Sequence, residues 1–189
     1  PVVLASDFEQ GVGGQLSDDA FTAFPESMAI AAAGNAEYAY EAGRITAEEA
    51  GLLNVHWTFA DVADLALNRD NPIIGIRSYG DNPDRVIPLL TAHIRGQQEH
   101  NCAATAKHFP GDGMDTRNQH MVTSFNPLTL EEWEKSCGRV WRAVIDAGVM
   151  SIMVGHVAMP NYEDMDPVKK QYRPATASKK IIVDLLRDR

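Results

Sequence analysis

The sequence predicts an α/β fold of about four β/α units, because short apolar runs alternate with longer helix-forming stretches along the 189 residues. A second observation supports the same class: polar side chains gather just past the C-terminal end of each apolar run. In parallel α/β architectures those ends share one rim. With 44% hydrophobic and 23% charged residues, the chain has the balance of a globular protein with one core, a single domain or a piece of a larger one.

The elements follow in order. Residues 2–6 form a short apolar run that reads as a buried strand, closed by the polar cluster Asp7-Phe8-Glu9-Gln10-Gly11. Residues 27–53 are rich in alanine and glutamate and predict helix, with Gly34 and Asn35 breaking it in two. Residues 54–59 contain β-branched and aromatic side chains and predict the second strand. A long loop follows, marked by Asn71-Pro72, Gly75 and Gly80-Asp81-Asn82-Pro83. Loops of that length in compact domains are more often functional than idle. Asp84 reads as the cap of a helix running to Glu99, and residues 102–106 as the third strand. Thr129 with Glu132 spells a capping box. Leu130, Trp133, Cys137, Val140, Trp141 and Val144 then recur at helical spacing until Gly148. Residues 149–154 are the fourth strand, and Thr176 opens a last helix.

At the rim these strands deliver Asp7 and Glu9, Asp61 and Asp64, Lys107 and His108, and His156. Each has a structural alternative. Asp7 could close a loop, and Asp61 or Asp64 could cap the turn after the strand. His56 lies mid-strand and reads as a hydrogen-bonded core histidine, whereas His93 and His100 read as helix-surface residues. His120 sits in a loop with Asp112, Asp115 and Asn118. A loop histidine beside carboxylates suits general acid–base work because its pKa lies near neutrality, and a solvated loop histidine is the alternative.

Other classes are disfavoured. A net charge of −9 repels a phosphate backbone, so no nucleic-acid partner is expected. No HxxxH or HExxH spacing supports a metal site, and no cofactor is expected. Gly111-Asp112-Gly113 lacks a phosphate-loop pattern and carries an anion in its middle. Cys102 and Cys137 are far apart and read as reduced, packed thiols, which agrees with a cytoplasmic setting. No apolar run approaches the ~18 residues of a membrane span, so no membrane partner is expected. The chain opens at Pro1 inside an apparent strand, so a preceding segment is expected.

The string Lys107-His108-Phe109-Pro110-Gly111-Asp112-Gly113 resembles the KHFPG signature of family 3 glycoside hydrolases, in particular their β-N-acetylglucosaminidase branch. Further segments resemble the same family. Asp7-Phe8-Glu9-Gln10-Gly11 is similar to its D-x-E-G-G segment, and residues 54–64 to its N-x-x-F-A-P-V-A-D stretch, with Asp61 where proline is usual. Residues 71–80 are similar to N-P-x-I-G-x-R-S-F-G, and Met153-Val154-Gly155-His156 to M-V-x-H.

The resemblance implies an incomplete N-terminal domain over residues 1–189, a partial TIM-type (β/α)8 barrel with about four of its units. It implies a retaining hydrolase that releases terminal β-N-acetylglucosamine, with a β-glucosidase or a non-catalytic sugar-binding chain as alternatives. Asp7, Arg77, Lys107, His108 and His156 would bind the sugar. His120 would be the general acid/base, with Asn118 where the family's dyad has aspartate. An amide can orient an imidazole but cannot balance an imidazolium, unless Asp115 or Asp112 substitutes. The family's nucleophilic aspartate lies in a G-x-x-x-S-D segment of the next strand, which these residues do not include. Open barrel edges imply possible self-association.

Overall fold

The computed structural model describes residues 2–188, so Pro1 and Arg189, at the start of the first expected strand and the end of the last expected helix, lie outside the described residues. In chain order the strands are β1 (Leu4–Ser6), β2 (Val55–Thr58), β3 (Asp61–Val62), β4 (Thr105–Phe109), β5 (Ser124–Phe125), β6 (Ser151–Val154) and β7 (Val157–Ala158). The α-helices are α1 (Gly11–Leu16), α2 (Ser27–Ala33), α3 (Ala36–Leu52), α4 (Pro83–Glu99), α5 (Leu130–Lys135) and α6 (Cys137–Asp146).

Every strand pair is parallel: β1 with β2, β3 with β4, β4 with β6, and β5 with β7. A bridge between Trp57 and Ala103 ties the β2 segment to the approach of β4, where the Thr58 N–H donates to Ala103 O at 2.8 Å. The main segments therefore stand side by side in sequence order. Parallel neighbours need a crossover; α3, α4 and α6 supply it, so all strand ends meet at one rim.

Backbone contact between α3 and α4 sets their crossing. A Cβ on Gly43 would sit 2.2 Å from His93 O, and one on Gly96 would sit 2.2 Å from Tyr40 O. Only glycine lets the two helices approach so closely. The main core lies between these helices, α6 and the strands, with Leu90, Ile94, Phe109, Trp141 and Ile181 at its centre. The rings of Trp133 and Trp141 meet Phe109 edge-on, at centroid separations of 6.0 and 5.2 Å. Both indoles donate to the Pro110 carbonyl, at 2.7 and 3.2 Å, which anchors the glycine loop after β4.

Several expectations need correction. Strand β1 forms but is not buried: Val2, Val3 and Leu4 are exposed. The third strand runs from Thr105 to Phe109 rather than over residues 102–106, so Lys107 and His108 belong to it. Asn82, not Asp84, caps α4, its side chain accepting from Asp84 N at 2.9 Å. The helix after Thr129 breaks at Ser136, whose backbone leaves the helical region (φ −122°, ψ −97°). The last helix begins at Lys180 and winds as a π-helix to Arg187, after a 3-10 turn at Ala175–Ala177. His93 is buried rather than superficial, and its Nδ1 meets Asp61 Oδ1 at 2.7 Å. His56 is exposed, not in the core. Both cysteines are free and buried, and burial pushes the thiols up to about 11 for Cys102 and about 12 for Cys137.

The capping box is present: Thr129 Oγ1 accepts from Glu132 N at 3.3 Å, and Glu132 Oε2 accepts from Thr129 N at 2.8 Å. Thr129→Ala is expected to remove about 1 kcal/mol of stability. The urea midpoint should fall with an unchanged slope; an unmoved midpoint would show that the cap contributes nothing.

Candidate active site

Strand β4 and its loop organise the rim. Lys107 is an inward-facing, almost fully buried side chain of β4. Its ammonium lies 2.9 Å from Asp7 Oδ1 and 2.5 Å from Glu9 Oε1. A buried ammonium needs such partners to remain charged. Glu9 also grips Arg77 with both oxygens: Arg77 Nε donates to Oε2 at 2.7 Å and Nη2 to Oε1 at 2.6 Å. Burial raises the Glu9 pKa, but hydrogen bonds and charge from Arg77 and Lys107 outweigh that and hold it below its ordinary value.

Arg77 ends a 3-10 turn, Gly75–Arg77, that Asn71 folds. The Asn71 side-chain oxygen accepts from Ile73 N at 3.0 Å and Ile74 N at 2.7 Å. Its amide nitrogen donates to Asp115 O at 2.8 Å, tying the turn to the loop after β4. This Asx turn follows from the Asn-Pro dipeptide.

The neighbouring cluster centres on Asp64, which is fully buried. Its carboxylate accepts from the His108 backbone N–H at 3.1 Å, meets His108 Nδ1 at 2.7 Å and accepts from Asp112 N at 2.7 Å. A carboxylate only accepts, so Nδ1 of His108 carries hydrogen and Nε2 is left for another partner. The Lys107-His108 and Phe109-Pro110 peptide bonds are both cis.

The loop after β4 brings a third group. Both the backbone N–H and Nδ1 of His120 lie 2.9 Å from Asn118 Oδ1. The backbone group can only donate, so that Asn118 atom is the carbonyl oxygen, and His120 Nδ1 must donate to it as well. His120 Nε2 is therefore left with its lone pair when the ring is neutral, on an exposed side chain. Between these two residues, the Gln119 side-chain oxygen accepts from the backbone N–H of His156 at 3.3 Å. A Cβ added at Gly155 would stand 3.0 Å from His108 Cβ and 3.3 Å from Gln119 Oε1, so this glycine lets the loop close onto β4. Nδ1 of His156 meets Thr176 Oγ1 at 2.9 Å.

A continuous series of contacts thus joins Asp7, Lys107, Glu9 and Arg77, passes along the chain to His108, and reaches His156 and the Asn118–His120 loop through Gly155 and Gln119. Two sequence expectations are not met. Asp61 turns away from the rim to His93 and Gln97 of α4. Asp112 and Asp115 do not take up the His120 ring, whose Nδ1 partner is Asn118. Asp112 is buried and accepts from Gly113 N at 2.7 Å, and burial, reinforced by Asp64, raises its pKa. Asp115 is partly desolvated, which raises its pKa, but hydrogen bonds from the Arg117 side chain and from backbone N–H groups bring it below the ordinary value.

From the sequence, Glu9 and Asp64 stand at strand ends but outside the expected site. The available signal for Glu9 is its place two residues after Asp7 in the same polar cluster, at the turn that follows β1. A cleft of about 630 Å³ lies elsewhere, among Met28, Ile76, Tyr79 and Arg85, and none of the expected site residues lines it. Among the described residues no group of three His, Cys, Asp or Glu could hold a metal ion, and no helix is long and apolar enough to cross a membrane.

Comparison with known proteins places the chain among sugar-processing relatives. The chain is 35% identical over 192 residues to a β-N-acetylglucosaminidase/β-glucosidase of Cellulomonas fimi, covering all of this chain and 34% of that protein. It is 32% identical over 143 residues to a β-hexosaminidase of Stenotrophomonas maltophilia (strain K279a), covering 76% of this chain and 40% of that one. The solved family 3 β-N-acetylglucosaminidase of Paenibacillus sp. str. FPU-7 superposes with a TM-score of 0.89 at 36% identity, over 99% of this chain and 34% of that one. A β-glucoside phosphorylase superposes equally well, with a TM-score of 0.90 at 31% identity over 99% of this chain and 34% of that one. The chain spans about a third to two fifths of the length of these relatives. The model of the glycosyl hydrolase family 3 N terminal domain matches residues 1–189, and the chain belongs to that family.

Proposed function

We propose that the chain provides the sugar-binding and acid–base parts of a retaining β-N-acetylhexosaminidase acting on terminal β-N-acetylglucosamine, within a partial (β/α)8 barrel of about four β/α units. The observation that carries this reading is the His120–Asn118 pair, tied by Gln119 to the rim that holds Lys107, His108 and Arg77. Asp7, Arg77, Lys107, His108 and His156 bind sugar hydroxyls, and charged groups give such bonds strength and direction. His120 gives a proton from Nε2 to the leaving oxygen and later takes one from water. Asn118 holds the ring by Nδ1 but supplies no counter-charge.

Retention also needs an attacking carboxylate. Glu9 is taken up by Arg77 and Lys107, and Asp64 by His108 and Asp112, so in this reading the nucleophile comes from elsewhere. The test is hydrolysis of p-nitrophenyl N-acetylglucosaminide by the 189-residue chain, together with thermal shifts caused by N-acetylglucosamine. A shift without turnover supports a sugar-binding part that lacks its nucleophile. Turnover refutes the missing nucleophile, and neither response refutes the reading.

A second reading rests on the structural likeness to a β-glucoside phosphorylase. A p-nitrophenyl glucoside assayed with and without inorganic phosphate separates it. Faster release of nitrophenol from the glucoside, dependent on phosphate, favours the alternative. Exposed Val3, Leu4 and Met150 lie at the outer strands, and self-association through those edges is part of the proposal. A monodisperse monomer by light scattering contradicts it.

A further inference from the structure

We infer that Glu9 is a positioning residue that fixes Arg77 and Lys107 and makes the candidate site select neutral over anionic sugars. The inference rests on the sugar-binding reading above and deepens it by naming the charge class of the ligand. Two carboxylates face two cations here, and their roles differ. Glu9 has only 17% of its side chain exposed, and its bonds are used within the protein: Oε1 takes Arg77 Nη2 and Lys107 Nζ, and Oε2 takes Arg77 Nε. Asp7 is 55% exposed and gives Lys107 only Oδ1, so Oδ2 is open to a ligand hydroxyl.

Arg77 donates from Nε and Nη2 to Glu9 and from Nη1 to Ile73 O at 3.0 Å. A guanidinium has five N–H groups. One on each Nη therefore remains for a ligand, in a plane that the two-point grip of Glu9 fixes. The charges of Asp7, Glu9, Arg77 and Lys107 cancel. A neutral sugar meets directional donors and an acceptor without net attraction for anions. Removing the Glu9 charge leaves one positive charge in excess, frees the guanidinium to rotate, and turns an amide N–H₂ toward a cation.

The experiment compares the wild-type chain with Glu9→Gln and Glu9→Asp. Isothermal titration uses N-acetylglucosamine and, separately, glucuronate, and NMR records the Arg77 Nε–H resonance. Glu9→Gln should weaken N-acetylglucosamine about tenfold and strengthen glucuronate severalfold, as the loss of a charge-assisted contact and a gain of net charge require. A purely structural defect would weaken both sugars. Glu9→Asp keeps the charge but is too short to hold both cations, so it should weaken N-acetylglucosamine without admitting glucuronate. If Glu9→Gln does not fold, that pattern in Glu9→Asp decides. Equal binding of both sugars by wild type and variants overturns the inference. If the wild type binds no N-acetylglucosamine, the sugar-binding reading fails and selection fails with it. An Arg77 Nε–H signal unchanged in Glu9→Gln then overturns positioning too, whereas a displaced signal keeps positioning alone.

Discussion

Asp64→Ala is expected to lower the unfolding free energy by roughly 3–5 kcal/mol and to disorder the ring of His108. The side chain is fully buried and serves three donors: His108 N, His108 Nδ1 and Asp112 N. Alanine leaves two backbone N–H groups and an imidazole nitrogen with no acceptor in a site closed to water, and unpaired buried donors are costly. Asp64→Asn keeps one accepting oxygen but turns an N–H₂ toward donors, so about half the loss is expected. The pH dependence should change in a stated direction. Asp112 has its pKa raised above 3.8, first by burial and then by the Asp64 charge. The fold favours the protonated form of such a group. Its contribution is fully present below pH 3.8 and is lost as pH rises through the raised value. Without Asp64 the charge part of that loss should shrink, so the Asp112 contribution should fall less with rising pH in the variant than in the parent. Urea denaturation at low and at neutral pH measures it, and a deficit under 1 kcal/mol at both would show that Asp64 does not hold the loop.

How much of this was legible in the sequence differs by residue. The parallel order of strands was readable because the apolar runs and long linking helices leave few other topologies. Lys107, Arg77 and Asp7 stand in local strings that resemble a known family, and the structure brings them together around Glu9. The register of β4 was not. Residues 102–109 are apolar around one Lys-His pair, and only pairing with Ser151–Val154 fixes where the strand begins and ends. Asp61 and Asp64 look equivalent along the chain, three residues apart. Helix α4 presents His93 and Gln97 to one, while β4 presents His108 and the loop after it presents the Asp112 N–H to the other. Burial of His93 depends on the close crossing at Gly43 and Gly96, a contact between residues far apart in sequence. The exposure of β1 was also hidden, because an apolar run states what a strand can bury and not what covers it.

In a protein that also supplies the attacking carboxylate, Asn118→Asp is expected to raise turnover of N-acetylglucosaminides with poor leaving groups by roughly 10²-fold, while changing stability by less than about 0.5 kcal/mol. The substitution is isosteric. The oxygen that accepts from both His120 N and His120 Nδ1 at 2.9 Å is retained, and no bond from the Asn118 amide nitrogen to another described residue is lost. What changes is charge. Proton uptake at His120 Nε2 makes an imidazolium, and a carboxylate at Nδ1 stabilises that ion where an amide cannot. In a protease triad the reverse exchange, carboxylate to amide, costs about 10⁴-fold. The gain here should be smaller because His120 is exposed and water screens the pair. Leaving groups separate this effect from better binding. p-Nitrophenolate departs with little protonation, so its release should rise only slightly, whereas release of a sugar alcohol needs the proton and should rise most. Equal gains on both substrates would assign the effect to binding. No gain on either, with His120→Ala as active as the parent, would remove His120 from the proton path and leave the loop after β4 a wall of the pocket rather than part of its chemistry.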